Sequence, residues 1–481
     1  MEMIKNEDIF REKMDKEVIR FAPIRLSEVI SSGGRINAEF YDLESKKIRE
    51  LIKKSPLSKK FLNSEEGFAK AYYFGRFKRV FVKDQEKGFP IFDPSQMLEL
   101  DPKPRKHISS KSKVSLEDLK LKRNQILMTR SGTIGKVGLV TEVLEGKIFS
   151  DDLFRIDCYN YEDVGYLYAF LKSFIGQKLV TTNNYGSVIT HIEPEHLESL
   201  QVPYPSSDTK KSISNKIIKS FKLRDEAVEL SHQSMNLLSN YLELKPLNKV
   251  KINYLEDSIR SFSDKLSKID LRLNASYNLP IIEEIIKILK KSSNLVSIGD
   301  ESVSKEVILP GRFKRIYVDK DHGMPFLGGK DILNYDPDIT KYLSKKKHQE
   351  RMDDELELEE NMVLITRSGT IGNVLLVPKF LEGWVASEHI IRIVPCESIN
   401  PGYIYAFLNS EYGYELIKRF TYGSVVDEID DRQVKAIPFP LIEESKMKKI
   451  GDLMLEANKK RTEAYNLEKG AIKEIESLIL R

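Results

Sequence analysis

Residues 127–137 read LMTRSGTIGKV, and residues 364–374 read LITRSGTIGNV. A shift of 237 positions relates the two stretches, and the same shift aligns much of the remaining chain. It pairs RINA at 35–38 with RLNA at 272–275, YAFL at 168–171 with YAFL at 405–408, and YGSV at 185–188 with YGSV at 422–425. GRFKR at 75–79 recurs at 311–315, one residue off that shift. Five matches in one order indicate a tandem duplication, and such a repeat has to be recognised before any fold is assigned.

The composition is that of an ordinary globular protein, with 41% hydrophobic and 31% charged residues in 481. A net charge of +4 is mild, so binding to nucleic acid would require clustered basic residues. The two cysteines, Cys158 and Cys396, fit a reducing compartment and form no zinc motif. The charged residues 1–20 do not resemble a signal peptide, and no apolar run is long enough to span a membrane. We therefore expect a cytoplasmic protein.

Each copy is predicted to be a globular α/β (α+β) domain followed by a long helix. Residues 207–244 contain no Gly or Pro, and apolar residues recur there at helical spacing, as in a coiled coil: Ile213, Ile217, Ala227, Leu230, Leu238 and Tyr241. The second helix repeats this stripe at Ile450, Met454, Ala464, Leu467, Ile475 and Leu478. The predicted order is an arm (1–20), globular domain one (21–206), spacer helix one (207–246), a connector (247–270), globular domain two (271–440) and spacer helix two (441–481).

The connectivity predicts how these parts are arranged. Domain two begins near the C-terminal end of the first helix. The apolar stripe of the second helix must be buried against another part of the chain. Antiparallel packing of the two helices buries both stripes and returns the chain to domain one. A helix of ~35 residues is ~50 Å long. We therefore expect two similar heads, separated by two long antiparallel coiled-coil helices, with pseudo-two-fold symmetry.

The repeated TRSGTIG motif is not a P-loop, because Arg130 and Val137 occupy positions where that motif requires Gly and Ser/Thr. One interpretation is a β-hairpin whose glycines serve backbone geometry. The other is contact with DNA phosphates, made by Arg130, Ser131 and Thr133, by Arg367, Ser368 and Thr370, and by Ser187 and Ser424 of the YGSV motifs.

Basic residues recur at matching places in both heads. The GRFKR motifs supply Arg76, Lys78 and Arg79, then Arg312, Lys314 and Arg315. The loops that follow supply Lys103, Arg105, Lys106, Lys111 and Lys113, then Lys345, Lys346 and Lys347. Such charge usually means only a solvated surface, but its recurrence favours nucleic-acid binding. The acidic run 353–360 has no equal in the first head, so it must face away or pair with the preceding lysines.

No catalytic motif is repeated. His191 and His196 could suggest a metal site, but the second copy has no histidine there. Glu145-Gly146-Lys147 resembles part of a nuclease motif, but its partner Glu382-Gly383-Trp384 lacks the lysine. No methyltransferase Asn-Pro-Pro-Tyr motif is present. We therefore expect a chain that is not an enzyme, with no metal and no cofactor of its own.

The paired RINAEFY and RLNASYN openings, TRSGTIG hairpins, YGSV segments and long helices resemble the specificity subunit of type I restriction-modification systems. This resemblance implies that each head reads one half of a bipartite double-stranded DNA target and that the helices set the gap. It also implies two methyltransferase subunits that use S-adenosylmethionine, and restriction subunits that use ATP and Mg²⁺. A specificity module of another DNA-modification system, a DNA-acting enzyme and a plain dimerising scaffold are the alternatives.

Two further expectations follow from the repeat. Base reading should come from stretches in which the copies differ, with 83–124 and 319–361 as the best candidates. Apolar residues off the helical stripes should form the partner interface: Ile218, Phe221, Leu237, Leu453, Leu455 and Leu480.

Overall fold

The computed structural model describes residues 23–480 except 32, 33, 35, 37, 83–87, 113, 114, 183–190, 199, 251–261, 264, 266–271, 338, 424 and 425. The predicted arm at 1–20 lies outside this range. Within it, a globular head followed by a long helix occurs twice. The predicted α/β duplication is therefore confirmed.

In its described residues, head one contains ten strands and five α-helices before its long helix. The strands are β1 (Ser58–Phe61), β2 (Ala69–Tyr72), β3 (Phe81–Val82), β4 (Phe89–Phe92), β5 (Lys106–Ile108), β6 (Ile126–Thr129), β7 (Val137–Leu139), β8 (Ile148–Phe149), β9 (Leu153–Cys158) and β10 (Gln201–Tyr204). The helices are α1 (Leu26–Ser31), α2 (Leu43–Lys54), α3 (Tyr161–Lys172), α4 (Phe174–Thr181), α5 (Pro194–Glu198) and the long α6 (Ser207–Tyr241).

In its described residues, head two repeats the ten strands, whereas its short helix Lys345–Arg351 has no helical counterpart in head one. Its strands are β11 (Asn294–Ser297), β12 (Ser304–Ile308), β13 (Tyr317–Val318), β14 (Gly323–Leu327), β15 (Tyr342–Ser344), β16 (Val363–Thr366), β17 (Val374–Leu376), β18 (Val385–Ala386), β19 (Ile390–Pro395) and β20 (Pro438–Leu441). Its helices are α7 (Pro280–Ser292), α8 (Lys345–Arg351), α9 (Pro401–Leu408), α10 (Glu411–Lys418), α11 (Asp431–Lys435) and the long α12 (Glu444–Leu480).

Each head has a large sheet, a small sheet and a closing strand pair. The large sheet is antiparallel, in the order β2-β9-β6-β7 or β12-β19-β16-β17. The small sheet has the order β3-β5-β4-β8 or β13-β15-β14-β18, and its last strand pair is parallel. The pair β1-β10 or β11-β20 joins the two ends of the head. The described strands of the two heads therefore share one topology, as the sequence repeat predicts.

The core of each head lies around the hairpin strands. Ile126, Leu127 and Met128 of β6 are fully buried, because the aromatic helix α3 and the small-sheet lobe both pack into the same cluster. Strand β16 is buried in the same way. Because both faces of these strands are buried, their sequences are continuously apolar and do not alternate between apolar and polar residues.

The long helices pack antiparallel, as predicted. Lys216 of α6 contacts Glu474 of α12, whereas Ser234 bonds to the carbonyl of Ile450, so the residue numbers run in opposite directions. Ser206 caps α6 by accepting the Thr209 N–H at 3.4 Å, a contact worth ~1 kcal/mol. Eight stripe residues are buried: Ile213, Ile217, Ala227, Leu238, Ile450, Met454, Ala464 and Ile475. Leu230, Tyr241, Leu467 and Leu478 are only partly covered.

The heads also contact each other directly. Segment 97–102 (MLELDP) of head one and segment 332–337 (ILNYDP) of head two form an isolated antiparallel bridge at Glu99 and Asn334. We call these two segments the head-to-head bridge. The sequence predicted heads that are held apart by the helices alone. The structure shows that the heads also contact each other through these two segments.

No helix in the described part of the chain is long and apolar enough to cross a membrane.

Candidate nucleic-acid interface

The TRSGTIG motif forms a tight β-hairpin in each head. Gly132 and Gly135 have φ angles of 68° and 80°, and Gly369 and Gly372 have 73° and 87°, a region that favours glycine. Thr129 closes the turn because its hydroxyl accepts the Lys136 N–H at 3.0 Å. The tips of the turns, Gly132-Thr133 and Gly369-Thr370, are exposed. Thr133 and Thr370 therefore remain available for contact with a ligand.

Arg130 supports the hairpin from below and does not lie on its surface. Its side chain is 5% exposed, and its Nη2 donates to Glu193 at 2.6 Å. Nη1 donates to Asp152 at 3.3 Å, and the guanidinium lies 3.9 Å from the centre of the Tyr73 ring. Both carboxylates already neutralise this buried cation, so it is not available to a phosphate as predicted. Arg130 instead anchors the hairpin to the rest of the head.

Head two uses the same construction with different residues. Arg367 is 7% exposed and donates to Glu428 at 2.7 Å, so its predicted phosphate contact is corrected in the same way. Arg312 also donates to Glu428 at 2.7 Å, although its own side chain is exposed. Ser368 bonds to His389 at 2.7 Å, and Ser131 donates to Asp152 in head one. The two serines are therefore partly engaged within the protein.

Ion pairs connect each GRFKR motif to the segment that follows β8 or β18, next to the hairpin. Arg79 pairs with the buried Asp151, and Arg315 pairs with Glu388 at 2.6 Å. Burial alone would raise the pKa of Glu388, but the hydrogen bond and charge of Arg315 outweigh it and hold that pKa below its ordinary value. The structure thus brings together GRFKR, the hairpin and the segment after β8 or β18 in each head. Arg79 and Arg312 are exposed although each is paired with a carboxylate. Three further exposed cations of the motif form no ion pair within the described residues: Arg76, Lys78 and Lys314.

The basic loop of head one is only partly free. Arg105 pairs with Glu99 at 2.7 Å, and Lys106 pairs with Asp93 at 3.0 Å, with both cations half exposed. Lys103 and Lys111 are exposed and have no ion pair in the part of head one that the structure describes. Lys113, Ser187 and Ser424 lie outside the described residues.

In head two, Lys345, Lys346 and Lys347 form the exposed first turn of α8. Two carboxylates of the acidic run that follows pair elsewhere: Glu355 pairs with Arg351, and Glu360 pairs with Lys379 at 3.7 Å. Lys345 interacts electrostatically with Glu357 of this run. Lys346 and Lys347 form no ion pair within the described residues, so their charge remains available to a ligand.

Sequence reasoning missed the aromatic face of the small sheets. Phe81 and Phe89 both lie opposite Ile108, so they share one face, and Phe81 is 52% exposed. Lys106 lies 6.0 Å from the Phe81 ring centre, and in head two Lys341 lies 5.2 Å from that of Tyr317. The repeat carried a signal, because an aromatic residue flanked by β-branched ones follows GRFKR in both copies.

The prediction that Phe221 contacts a partner subunit is wrong. Phe221 is 4% exposed, and its ring packs edge-to-face on Tyr168 at 5.1 Å and on Tyr335 at 5.8 Å. It is buried because a loop of the other head covers it. The remaining five are partly buried: Ile218, Leu237, Leu453, Leu455 and Leu480.

Two grooves related by the repeat run beside the helical pair. The first, of about 990 Å³, is lined by Asn124, Ile218, Lys222, Glu226 and Leu230 among others. The equivalent positions Asn361, Leu455, Lys459, Glu463 and Leu467 line two adjoining clefts of about 430 and 550 Å³. Ile218 and Leu455 thus occupy matching sites, one in each groove.

The family model described as "Type I restriction modification DNA specificity domain" matches residues 41–238 and 313–477. No curated protein sequence matches the chain significantly. The chain is similar to the crystal structure of a type I restriction-modification S subunit from M. genitalium, at 13% identity and a TM-score of 0.33, covering 89% of this chain and 96% of that one. It is also similar to the HsdS subunit from Thermoanaerobacter tengcongensis, at 13% identity and a TM-score of 0.28, covering 85% and 94%. The family model, which spans well over half of the 481 residues, carries the assignment.

Proposed function

The chain belongs to the type I restriction-modification DNA specificity family, and from this premise we propose that each head reads one half of a bipartite DNA target. The observation that carries the proposal is the duplication itself. Two heads of one topology present the same exposed hairpin tip but different basic loops. Features common to both heads suit phosphate contacts, which position a protein, and features that differ suit base reading.

The reading surface we propose combines the hairpin tips, the exposed GRFKR cations and the small sheet. Thr133 and Thr370, with Arg76, Lys78 and Lys314, supply polar and cationic contacts to phosphate. Phe81 and Tyr317 supply exposed aromatic rings beside lysines. The variable stretches 83–124 and 319–361 supply the small-sheet strands β4, β5, β14 and β15, so their sequence differences fall on this surface.

We propose that the chain itself catalyses nothing and works with two methyltransferase subunits, with restriction subunits joining that core in the cytoplasm. S-adenosylmethionine, ATP and Mg²⁺ would then bind to those partners. The duplicated grooves support this stoichiometry, because two equivalent surfaces accept two copies of one partner. A specificity module of another DNA-modification system fits the same features.

The function is tested in the host genome by mapping methylated adenines with and without the gene. Loss of one bipartite motif on deletion is the expected result. If the motif persists, or if the purified chain alone methylates or cleaves DNA, the proposal is wrong.

The exposed lysines of α8 should contact phosphate rather than bases. Replacing Lys345, Lys346 and Lys347 by Ala should weaken binding to every duplex alike and reduce the salt slope by up to about three units. The measurement is the dissociation constant at several salt concentrations for target and non-target duplexes. Lys287, Lys290 and Lys291, on α7 of the same head, provide a triple-alanine control that should leave the slope unchanged, because Lys287 and Lys291 already pair with Glu284 and Glu243. A changed target sequence with an unchanged slope would contradict this assignment.

The two grooves should dock the methyltransferase subunits. Ile218→Glu with Leu455→Glu places a charge in both grooves at equivalent, partly exposed positions. We expect loss of co-purification, because a buried interface penalises an unpaired charge. DNA binding should remain close to wild type, and a cooperative thermal melt should show that the heads stay folded, although both side chains also pack against the head cores. Each single substitution should remove one of two partner copies, measurable as complex mass. A complex of full mass in the double variant would place the interface elsewhere.

A further inference from the structure

The head-to-head bridge joins the heads by backbone hydrogen bonds. Leu100 donates its N–H to the carbonyl of Leu333 at 2.8 Å, and Tyr335 donates its N–H to the carbonyl of Leu98 at 2.9 Å. The two segments share the pattern Leu-x-x-Asp-Pro, at Leu98 and Leu333, so equivalent pieces of the two heads pair with each other. This is the geometry expected at a pseudo-two-fold axis, where a segment meets its own copy.

One side chain from each segment of the bridge packs against the core of the other head. Tyr335 of head two is 7% exposed and belongs to the hydrophobic core of head one. Its ring packs on Phe221, and the Arg224 guanidinium lies 4.1 Å from its centre. In return, Leu100 of head one packs against a core cluster of head two. Each head therefore fills space in the other.

A buried ionic network fixes the bridge to the helices. Asp336 pairs with Lys172 of α3 at 2.6 Å and with Lys469 of α12 at 2.9 Å. Beneath it, Glu468 is fully buried, pairs with Arg224 and accepts the Tyr168 hydroxyl at 2.6 Å. Burial alone would raise the pKa of Glu468, but the charges of Arg224 and Lys172 outweigh it and keep that pKa below its ordinary value. Both heads and both long helices thus meet in one charged cluster.

The repeat provides a natural comparison for this cluster. Asp101 is the equivalent of Asp336 in head one, and it contacts His232 at 3.2 Å. His232 is the position in α6 equivalent to Lys469 in α12. However, the side chains of Asp101 and His232 are 31% and 53% exposed, whereas those of Asp336 and Lys172 are only 7% and 14% exposed. Only one of the two equivalent sites is therefore built to hold the heads tightly.

The bridge also lies next to the DNA-binding loops. Lys103 and Arg105 follow directly after segment 97–102, and Lys341 follows shortly after segment 332–337. The short backbone pairing of the bridge therefore fixes the position of the loop after residue 102 relative to the loop after residue 337. The long helices fix it as well. We propose that the head-to-head bridge, fixed by Asp336 and Tyr335, determines the gap between the two DNA half-sites. This proposal rests on the proposed function, in which each head reads one half-site.

The test recovers bound DNA from a pool of randomised duplexes, using the full chain purified in the complex that it forms in cells. The wild type should recover two half-sites at a single gap. Asp336→Asn should recover the same half-sites, with neighbouring gaps enriched by roughly ten-fold, an effect of about 1.4 kcal/mol. Asp101→Asn makes the same change at the equivalent position, which is more exposed, and should keep the single gap.

The outcomes separate the two ideas. A folded Asp336→Asn protein that still selects one gap would overturn the role of the bridge and leave the half-site reading intact. A wild type that recovers no two-part motif would overturn the proposed function.

A second variant decides the matter if Asp336→Asn does not fold. Glu99→Cys with Asn334→Cys places thiols on bridge partners, whose Cα atoms are ~4.5–5.5 Å apart in antiparallel pairs, a separation that suits a disulfide. The oxidised protein should bind DNA with the wild-type gap. Loss of binding on oxidation, regained on reduction, would show that the heads separate on DNA and would overturn the proposal.

Discussion

Replacing residues 319–361 by residues 83–124 should give a protein whose second half-site matches its first in inverted orientation. The reason is that the exchanged stretch carries the central strands of the small sheet, whereas the large sheet and the hairpin remain those of head two. Binding to the original target should fall by ~1–3 kcal/mol for each base pair that differs between the half-sites. Methylation mapping in cells that carry the hybrid reads the new target directly.

The structure changes how this exchange must be made. Both stretches contain their half of the head-to-head bridge, so a plain exchange would replace the buried Tyr335 by the smaller Leu100. The inserted copy should therefore carry Tyr in place of its Leu100. The plain exchange is the matched control, and it should read the same half-sites with a less defined gap. A hybrid that keeps the original second half-site would locate base reading outside these stretches.

The sequence was sufficient to predict two heads of one fold and two antiparallel long helices, because a repeat is visible without knowledge of contacts. The glycine spacing of TRSGTIG also predicted the hairpin, since positive φ angles are a local property of the chain. What covers a side chain is not local. The carboxylates that neutralise Arg130 come from Asp152 and Glu193, far along the chain. A charged residue in a motif common to both heads therefore looked like a surface contact.

The burial of Phe221 has the same explanation. Helical periodicity places this residue beside the stripe, but it does not reveal that Tyr335 from the other head covers the ring. A weak signal for that contact was present, since Leu-x-x-Asp-Pro occurs in both heads at Leu98 and Leu333. Its shift of 235 differs from the common one, so it falls out of alignment with the hairpins. The equivalence of Asp101 and Asp336 becomes evident only when both are seen at the pseudo-two-fold axis.

Matched insertions of four residues into both long helices should widen the gap between half-sites. Insertion into α6 alone would misalign the pair, because α6 begins in head one and packs along α12, whose last turns lie in the core of head one. The insertions therefore belong after Ser231 in α6 and after Arg461 in α12, two residues that contact each other at 3.1 Å. Four residues add ~6 Å and rotate one head by ~40°.

The expected target keeps both half-sites and has a gap wider by one or two base pairs, at ~3.4 Å per base pair. The added rotation is close to the twist of one base pair, so both heads can still face their grooves. The displacement also exceeds the 2.8 Å and 2.9 Å hydrogen bonds of the head-to-head bridge, so the bridge must break. We therefore expect a wider gap that is less sharply selected, as for Asp336→Asn. The single insertion in α6 is the control and should lower the melting temperature. If methylation mapping shows the original half-sites at an unchanged gap, the helices and the bridge do not set the spacing, because a displacement of ~6 Å between the heads cannot leave the gap unaltered while both heads still read their own bases.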